Sequence, residues 1–429
     1  MPAYKLHEGN NLDILPTIPD QSVDLVLTDP PYGWSFMGLD FDKALPDPQT
    51  WAECFRVLKP GGSAVVMSGS RMDCLWRMCR DLEAAGFELE QTAFFWCYRT
   101  GFPKGDDLSK RADKQAGAER EVVGKSPNSR ANRSEEDGIV LQKYRDNALL
   151  TAPATDLARE LDGWFTKGKV KPAVEVVIWA RKPISERTEL ANMERWGVGG
   201  VHCGACMVPF DVGNAPSTRC ATANAGKRHN DDSAEFPSGI DYAPQAGRYP
   251  ANLLCTGDEP LGPEGTRYFD IECWAAEHGF TEDGWQEAAA AGLLQIPKPS
   301  RAEKNAGCEG LPTRRKPSGG SNNLKQWEEG TRSFEDLDPK SKTLAQMAQN
   351  NHNTVKPVRL FAYMIELLTK TQAVILDPFV GSGTTLVAAI QANRYPIGIE
   401  LDSHYCTIAQ ARADHALQNK PTAVQHTLL

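Results

Sequence analysis

The chain alternates between short apolar runs of strand length and stretches with helical spacing at both ends, and loses that pattern in the middle. Tyr4 to Tyr32 reads as strand, turn, short helix and strand, with Gly9-Asn10-Asn11 in the turn, Leu12 to Leu15 opening the helix and the apolar run Val23 to Leu27 as the second strand. Trp51 to Leu58 has helical spacing, Lys59-Pro60-Gly61-Gly62 stops it, and Ser63 to Ser68 is the next strand. Arg71 to Ala85 predicts an amphipathic helix capped by Gly86, with a strand over Phe87 to Tyr98. After Arg99 the composition turns to Gly, Lys, Arg, Asp and Ser through about Ala148, and Lys171 to Arg181 returns as a strand. Near the other end, Val358 to Thr369 is an amphipathic helix with Leu360, Met364, Leu367 and Leu368 on one face. Ala373 to Leu376 is a strand, Leu386 to Ala392 a helix, Pro396 to Ile399 a strand ending in Glu400, and Tyr405 starts a last helix. Helix-turn-strand units of this kind build an α/β fold with a doubly wound, mostly parallel sheet. The expected division is 1–100, 351–429 and a large insertion over 101–350.

Composition narrows the function classes. At 429 residues the chain suits two or three domains, or one domain with a large insertion. With 41% hydrophobic and 24% charged residues and a net charge of -9, there is no global pull toward nucleic acid, so any contact with it must come from a local patch. Twelve Lys or Arg stand against seven acids between Ile296 and Arg359, with Arg314, Arg315 and Lys316 consecutive. Such an excess suits phosphate contact. Lys104 to Arg133 is a second basic candidate. No run of eighteen apolar residues and no leader pattern occurs, which leads to an expectation of a cytoplasmic protein without membrane contact. The eleven cysteines then read as reduced thiols. Cys203-Gly204-Ala205-Cys206 is half of a zinc site whose other half is missing, so no metal is expected.

Two motifs carry chemistry. In Thr28-Asp29-Pro30-Pro31-Tyr32 a carboxylate emerges at the carboxyl end of a buried strand, where open α/β sheets do their chemistry. The two prolines remove amide donors and leave the carbonyls of Asp29 and Pro30 to accept from a ligand. Acid, carbonyls and the Tyr32 ring suit a flat, amine-bearing ligand. The second motif, Asp377-Pro378-Phe379-Val380-Gly381-Ser382-Gly383-Thr384, is a glycine turn between strand and helix, but it lacks the Gly-x-Gly-x-x-Gly spacing of a dinucleotide site. Glu400 follows about twenty residues later, the offset at which an acid meets ribose hydroxyls.

Asp29-Pro30-Pro31-Tyr32 resembles the catalytic tetrapeptide of DNA amino-methyltransferases, and the glycine turn with Ile397-Gly398-Ile399-Glu400 resembles their cofactor half. The catalytic motif comes first, as in the permuted, or beta, group of this N-4/N-6 family. Lys171-Pro172-Ala173-Val174-Glu175, Ala180-Arg181-Lys182-Pro183, Trp196 to Pro209, Arg248 to Asn252 and Ser300 to Gly307 resemble segments of phage and prophage members. The resemblance implies a class I, Rossmann-like methyltransferase that uses S-adenosyl-L-methionine. It places Asp29, Pro30, Pro31 and Tyr32 in catalysis. It places Asn10, Asn353, Thr354, Lys356, Asp377, Pro378, Phe379, Gly381, Ser382, Gly383, Thr384, Glu400 and Leu401 around the cofactor. Family members usually carry an acid where Asn10 stands. The implied partner is double-stranded DNA, held by the insertion through Arg314, Arg315 and Lys316, with a homodimer as the assembly to test. The implied reaction is methylation of adenine N6. The competing readings are cytosine N4, a protein glutamine, and a DNA-binding protein without activity.

Overall fold

The computed structural model describes residues 3–34, 42–97, 105–125, 149–166, 173–209, 247–248, 250–255, 299–315 and 347–419. Of the candidate phosphate contacts, Lys104, Arg130, Arg133 and Lys316 lie outside these.

Eight strands form the main sheet: β1 (Lys5–Glu8), β2 (Val23–Thr28), β3 (Leu58–Gly69), β4 (Phe94–Cys97), β5 (Val174–Arg181), β6 (Leu253–Cys255), β7 (Val374–Asp377) and β8 (Tyr395–Glu400). Their order is β1-β8-β7-β2-β3-β5-β4-β6. All neighbours are parallel except at β5, which runs antiparallel to both β3 and β4. The fold is the mostly parallel α/β class expected from the alternation of elements, and the Rossmann-like class that the resemblance implies.

Both faces of the sheet are buried, which is why its strands read as apolar runs rather than alternating ones. Along β2, Val23 and Val26 face a layer with Trp51, Met78 and Leu82 from the helices Pro48–Val57 and Met72–Ala84. Leu25 and Leu27 face the opposite layer, built from the helices Val358–Leu368, Thr384–Gln391 and Ser403–Gln418.

Several elements differ from expectation for identifiable reasons. The strand expected over Phe87 to Tyr98 is ordered as a strand only at Phe94–Cys97, with Glu88 making a lone bridge to Arg181. The helix Val358–Leu368 is not amphipathic: every residue but Glu366 is buried, because the helix lies between the sheet and the segment Cys203–Cys206. There Cys206 Sγ donates to the Tyr363 carbonyl, a buried thiol's role. Two strands from within 101–350, β5 and β6, belong to the main sheet, where they flank β4 from the first hundred residues.

Candidate active site

Asp29 and the glycine turn, more than 300 residues apart in sequence, meet because β2 and β7 are adjacent parallel strands, with Leu25 opposite Ile375 and Val26 opposite Leu376. Both strands therefore deliver their last residues to one edge. A buried bond joins them: Thr28 Oγ1 donates to Asp377 Oδ1 at 2.6 Å. The other Asp377 oxygen accepts from Thr385, and the Phe379 amide donates to Oδ1 at 3.0 Å. Burial pushes this carboxyl up to about 7, against the three donors that pull it down. Asp377 is thus tied to protein donors that shape the turn.

Four polar side chains converge here, Asp29 among them. Tyr32 donates its hydroxyl to Asp29 Oδ1 at 2.6 Å, and Lys356 Nζ lies 2.5 Å from Oδ2. Glu175 Oε2 lies 3.2 Å from the same hydroxyl and 3.4 Å from the same ammonium. Burial alone would lower the Lys356 pKa, but Asp29 and Glu175 outweigh it and hold it above the ordinary lysine value. Burial, then the same two carboxylates, keeps Tyr32 protonated well above the usual range, so its hydroxyl stays a donor. Lys356, grouped with the cofactor residues from sequence, has its ammonium on the Asp29 carboxylate.

The walls of this pocket have local causes. Asp42 Oδ1 accepts from the amides of Tyr32 and Gly33 at 2.7 and 3.0 Å, which fixes the turn after the prolines. The Trp34 ring meets Tyr32 edge to face at 5.7 Å and lies directly on Gly69, where a Cβ would come within 2.0 Å of it. Only glycine at the end of β3 leaves room for that ring.

On the other side, Gly381 and Gly383 have φ of +53° and +86°, a region that L side chains rarely adopt. The Gly381 amide donates to Glu400 Oε2 at 2.9 Å, and the Asp402 amide donates to Oε1 at 2.9 Å. Burial raises the Glu400 pKa above the ordinary value. Each carboxylate oxygen keeps a second acceptor direction, which suits a hydroxyl-bearing ligand. Leu401 beside it is 73% exposed, an apolar surface at the rim. Asn10 caps the first helix, its Oδ1 accepting from Leu12 N at 3.0 Å, and the neighbouring Gly9 amide donates to the Glu400 carbonyl. The Pro378 carbonyl accepts from Asn11, and the Phe379 ring lies 6.4 Å from Trp51. Ser382 and Thr384 are buried; the Ser382 carbonyl accepts from Arg412 at 2.7 Å, and Thr384 Oγ1 donates to the Lys356 carbonyl at 3.4 Å.

Asn353 and Thr354 are half-buried and do not cap the helix Val358–Leu368, as their position before it suggests they would. Glu303 does, accepting from Val358 N at 2.9 Å. Nothing in the local sequence signals a bond that spans 55 residues. The His352 ring stands against Gly381 and meets Tyr405 edge to face at 4.7 Å. Desolvation there pushes its pKa down to about 4. Between about pH 6.5 and 4 the unfolded chain therefore takes a proton that the folded one refuses, so His352 makes stability fall as the pH is lowered through that window. Urea titrations across it should show a shallower acid loss in His352→Gln than in the parent; equal slopes would place the imidazole in water.

Arg314–Arg315 pairs antiparallel with Met347–Ala348, and Arg314 is exposed. Among the described residues no cluster of three or more His, Cys, Asp or Glu side chains could hold a metal ion, and no helix is long and apolar enough to cross a membrane.

The type II methyltransferase M.HindIII of Haemophilus influenzae is 46% identical over 61 residues, 14% of this chain and 20% of that protein. M2.DpnII of Streptococcus pneumoniae is 46% identical over 63 residues, 15% and 24% of the two chains. The chain thus spans about a fifth to a quarter of the length of these relatives. The solved structure of PvuII DNA methyltransferase (cytosine-N4-specific) aligns with a TM-score of 0.37 and 15% identity, over 96% of this chain and 88% of that one. The sequence model of the N6/N4 DNA methylase family matches residues 23–411, from the strand before Asp29 to the last helix, and the chain belongs to that family.

Proposed function

We propose that this protein transfers a methyl group from S-adenosyl-L-methionine to the N6 amine of adenine in double-stranded DNA. The observation that carries the reading is Asp29, bonded to the Tyr32 hydroxyl, at the edge that its strand shares with the adjacent strand leading into the glycine turn. An exocyclic amine is a poor nucleophile because its lone pair is delocalised into the ring. Asp29 and the Pro30 carbonyl, accepting its two hydrogens, hold the nitrogen in a more tetrahedral geometry. Tyr32 offers its face to a base swung out of the duplex. Positioning and electrostatics, rather than a covalent intermediate, lower the barrier.

The cofactor fits the opposite half of the site. The glycine turn presents backbone where a side chain would stand, Glu400 has acceptor directions for ribose hydroxyls, and Leu401 gives an apolar surface for the adenine. Phe379, Gly381, Glu400 and Leu401 would hold it, with Asn10, Asn353 and Thr354 at the rim. When bound, S-adenosyl-L-methionine supplies a sulfonium-activated methyl group. The motif order, catalytic strand before cofactor turn, supports assignment to the permuted group.

The DNA face lies along Arg314, Arg315 and Lys316. Replacing all three with Ala should weaken binding to every DNA sequence and reduce the salt dependence by roughly one slope unit for each phosphate that is no longer neutralised. An unchanged slope would move the DNA surface to the Lys104 to Arg133 region. The methyl-transfer reading itself is tested by incubating the protein with methyl-labelled cofactor and duplex DNA. Label in the DNA is the expected result; label in a glutamine-containing peptide instead would contradict it.

A further inference from the structure

The quartet around Asp29 contains more than the catalytic tetrapeptide needs. Both Asp29 oxygens already have donors, Tyr32 on Oδ1 and Lys356 on Oδ2. An amine that takes up either of these two acceptor directions displaces the donor that holds it. A displaced ammonium in a site this buried, with Lys356 9% exposed, would be costly unless another anion received it. Glu175 is that anion, since it stands within reach of the same two donors that occupy Asp29.

Its position follows from strand direction. Every other strand reaching this edge does so with its last residue, whereas β5 is antiparallel and reaches it with its first ones. Glu175, the second residue of β5, sits opposite Gly69 at the end of β3 and opposite Trp96 in β4. Gly69 carries no side chain of its own to intervene. Two carboxylates and one ammonium leave the cluster a net negative charge, so it can give up one donor to Glu175 and accept a neutral amine on Asp29 without isolating a charge.

Resting on the methyl-transfer reading, we propose that Glu175 is a positioning residue of the acceptor pocket: it takes Lys356 over from Asp29 when the acceptor amine binds. Lys356 then acts as a switchable counter-ion of the two acids, and the pocket admits an acceptor that donates hydrogens and carries no positive charge.

The experiment is a double-variant cycle on the full chain, with steady-state methyl transfer to duplex DNA and calorimetric binding of S-adenosyl-L-methionine measured on each protein. Glu175→Gln, which keeps shape but not charge, should lower kcat by about tenfold or more while the cofactor Kd stays within about twofold of the parent; that retained binding also reports that the variant is folded. Adding Lys356→Met removes the donor that competes for Asp29. The double variant should therefore retain about tenfold more activity than the product of the two single losses. A Glu175→Gln enzyme with the parent's kcat, or strictly multiplicative losses, overturns the hand-over. If Glu175→Gln fails to bind cofactor, Glu175→Ala and Glu175→Asp are measured in the same way, and loss of binding in all three makes Glu175 a structural residue and overturns the proposal. A parent protein that transfers no label to DNA overturns the underlying methyl-transfer reading as well, and so is distinct from each result above.

Discussion

Asp29→Ala should abolish methyl transfer, with kcat down by on the order of 10² to 10³, and leave cofactor affinity nearly unchanged. The carboxylate is 18% exposed and faces Tyr32 and Lys356 rather than the glycine turn. Its loss does not leave those donors stranded, because Glu175 remains within 3.2 Å of the tyrosine hydroxyl and 3.4 Å of the lysine ammonium. The fold should therefore survive, and Asp29→Asn, which keeps shape but gives the amine a competing donor, should be almost as inactive. Calorimetry and a transfer assay on the same preparations decide the matter. A tenfold loss of cofactor affinity, about 1.4 kcal/mol, combined with normal turnover at saturation would reverse the assigned role.

The second large effect separates two neighbouring parts of the cofactor half. Gly383→Val should destabilise the protein by about 2–5 kcal/mol, since it combines a left-handed backbone with an overpacked neighbour. A Cβ there would come 2.9 Å from Ala409 Cα and 3.0 Å from its Cβ, in the helix Ser403–Gln418 that closes the layer above the turn. Neither the Ala409 backbone nor the helix can give way as a flexible side chain would. Glu400→Ala should behave in the opposite way, with cofactor affinity down tenfold or more and thermal stability close to the parent's. Gly381→Val should fall between them, because its Cβ would meet the His352 ring rather than backbone. Melting curves with and without cofactor separate the cases. Wild-type affinity in both Glu400→Ala and Gly381→Val would mean that the cofactor pocket lies elsewhere.

The fold is legible in the sequence where local pattern and burial agree. Val23 to Leu27 and the glycine turn each combine a short apolar run with a hard stop, and the structure places their ends side by side. Direction and distance are what a sequence hides. Glu175 sits in a segment that reads as a strand and resembles phage proteins, but nothing in a strand's composition tells whether it runs parallel or antiparallel. Lys356 falls beside Asn353 and Thr354 and so groups with the cofactor, yet its long side chain reaches Asp29. The resemblance places Asp377 around the cofactor, and the sequence does not show that its carboxylate is held by Thr28 and Thr385. The helix Val358–Leu368 reads as having one polar face, but Glu303, arriving from a distant segment, caps it and helps bury it on all sides.

Nucleoside mass spectrometry decides whether this pocket methylates adenine: duplex DNA is incubated with the protein and methyl-labelled S-adenosyl-L-methionine, then digested to single nucleosides. Labelled N6-methyladenine is expected with the parent protein and none with Asp29→Ala. Label in N4-methylcytosine would keep the pocket but contradict the choice of base, and unlabelled DNA under conditions where the protein binds its cofactor would contradict methyl transfer to DNA altogether.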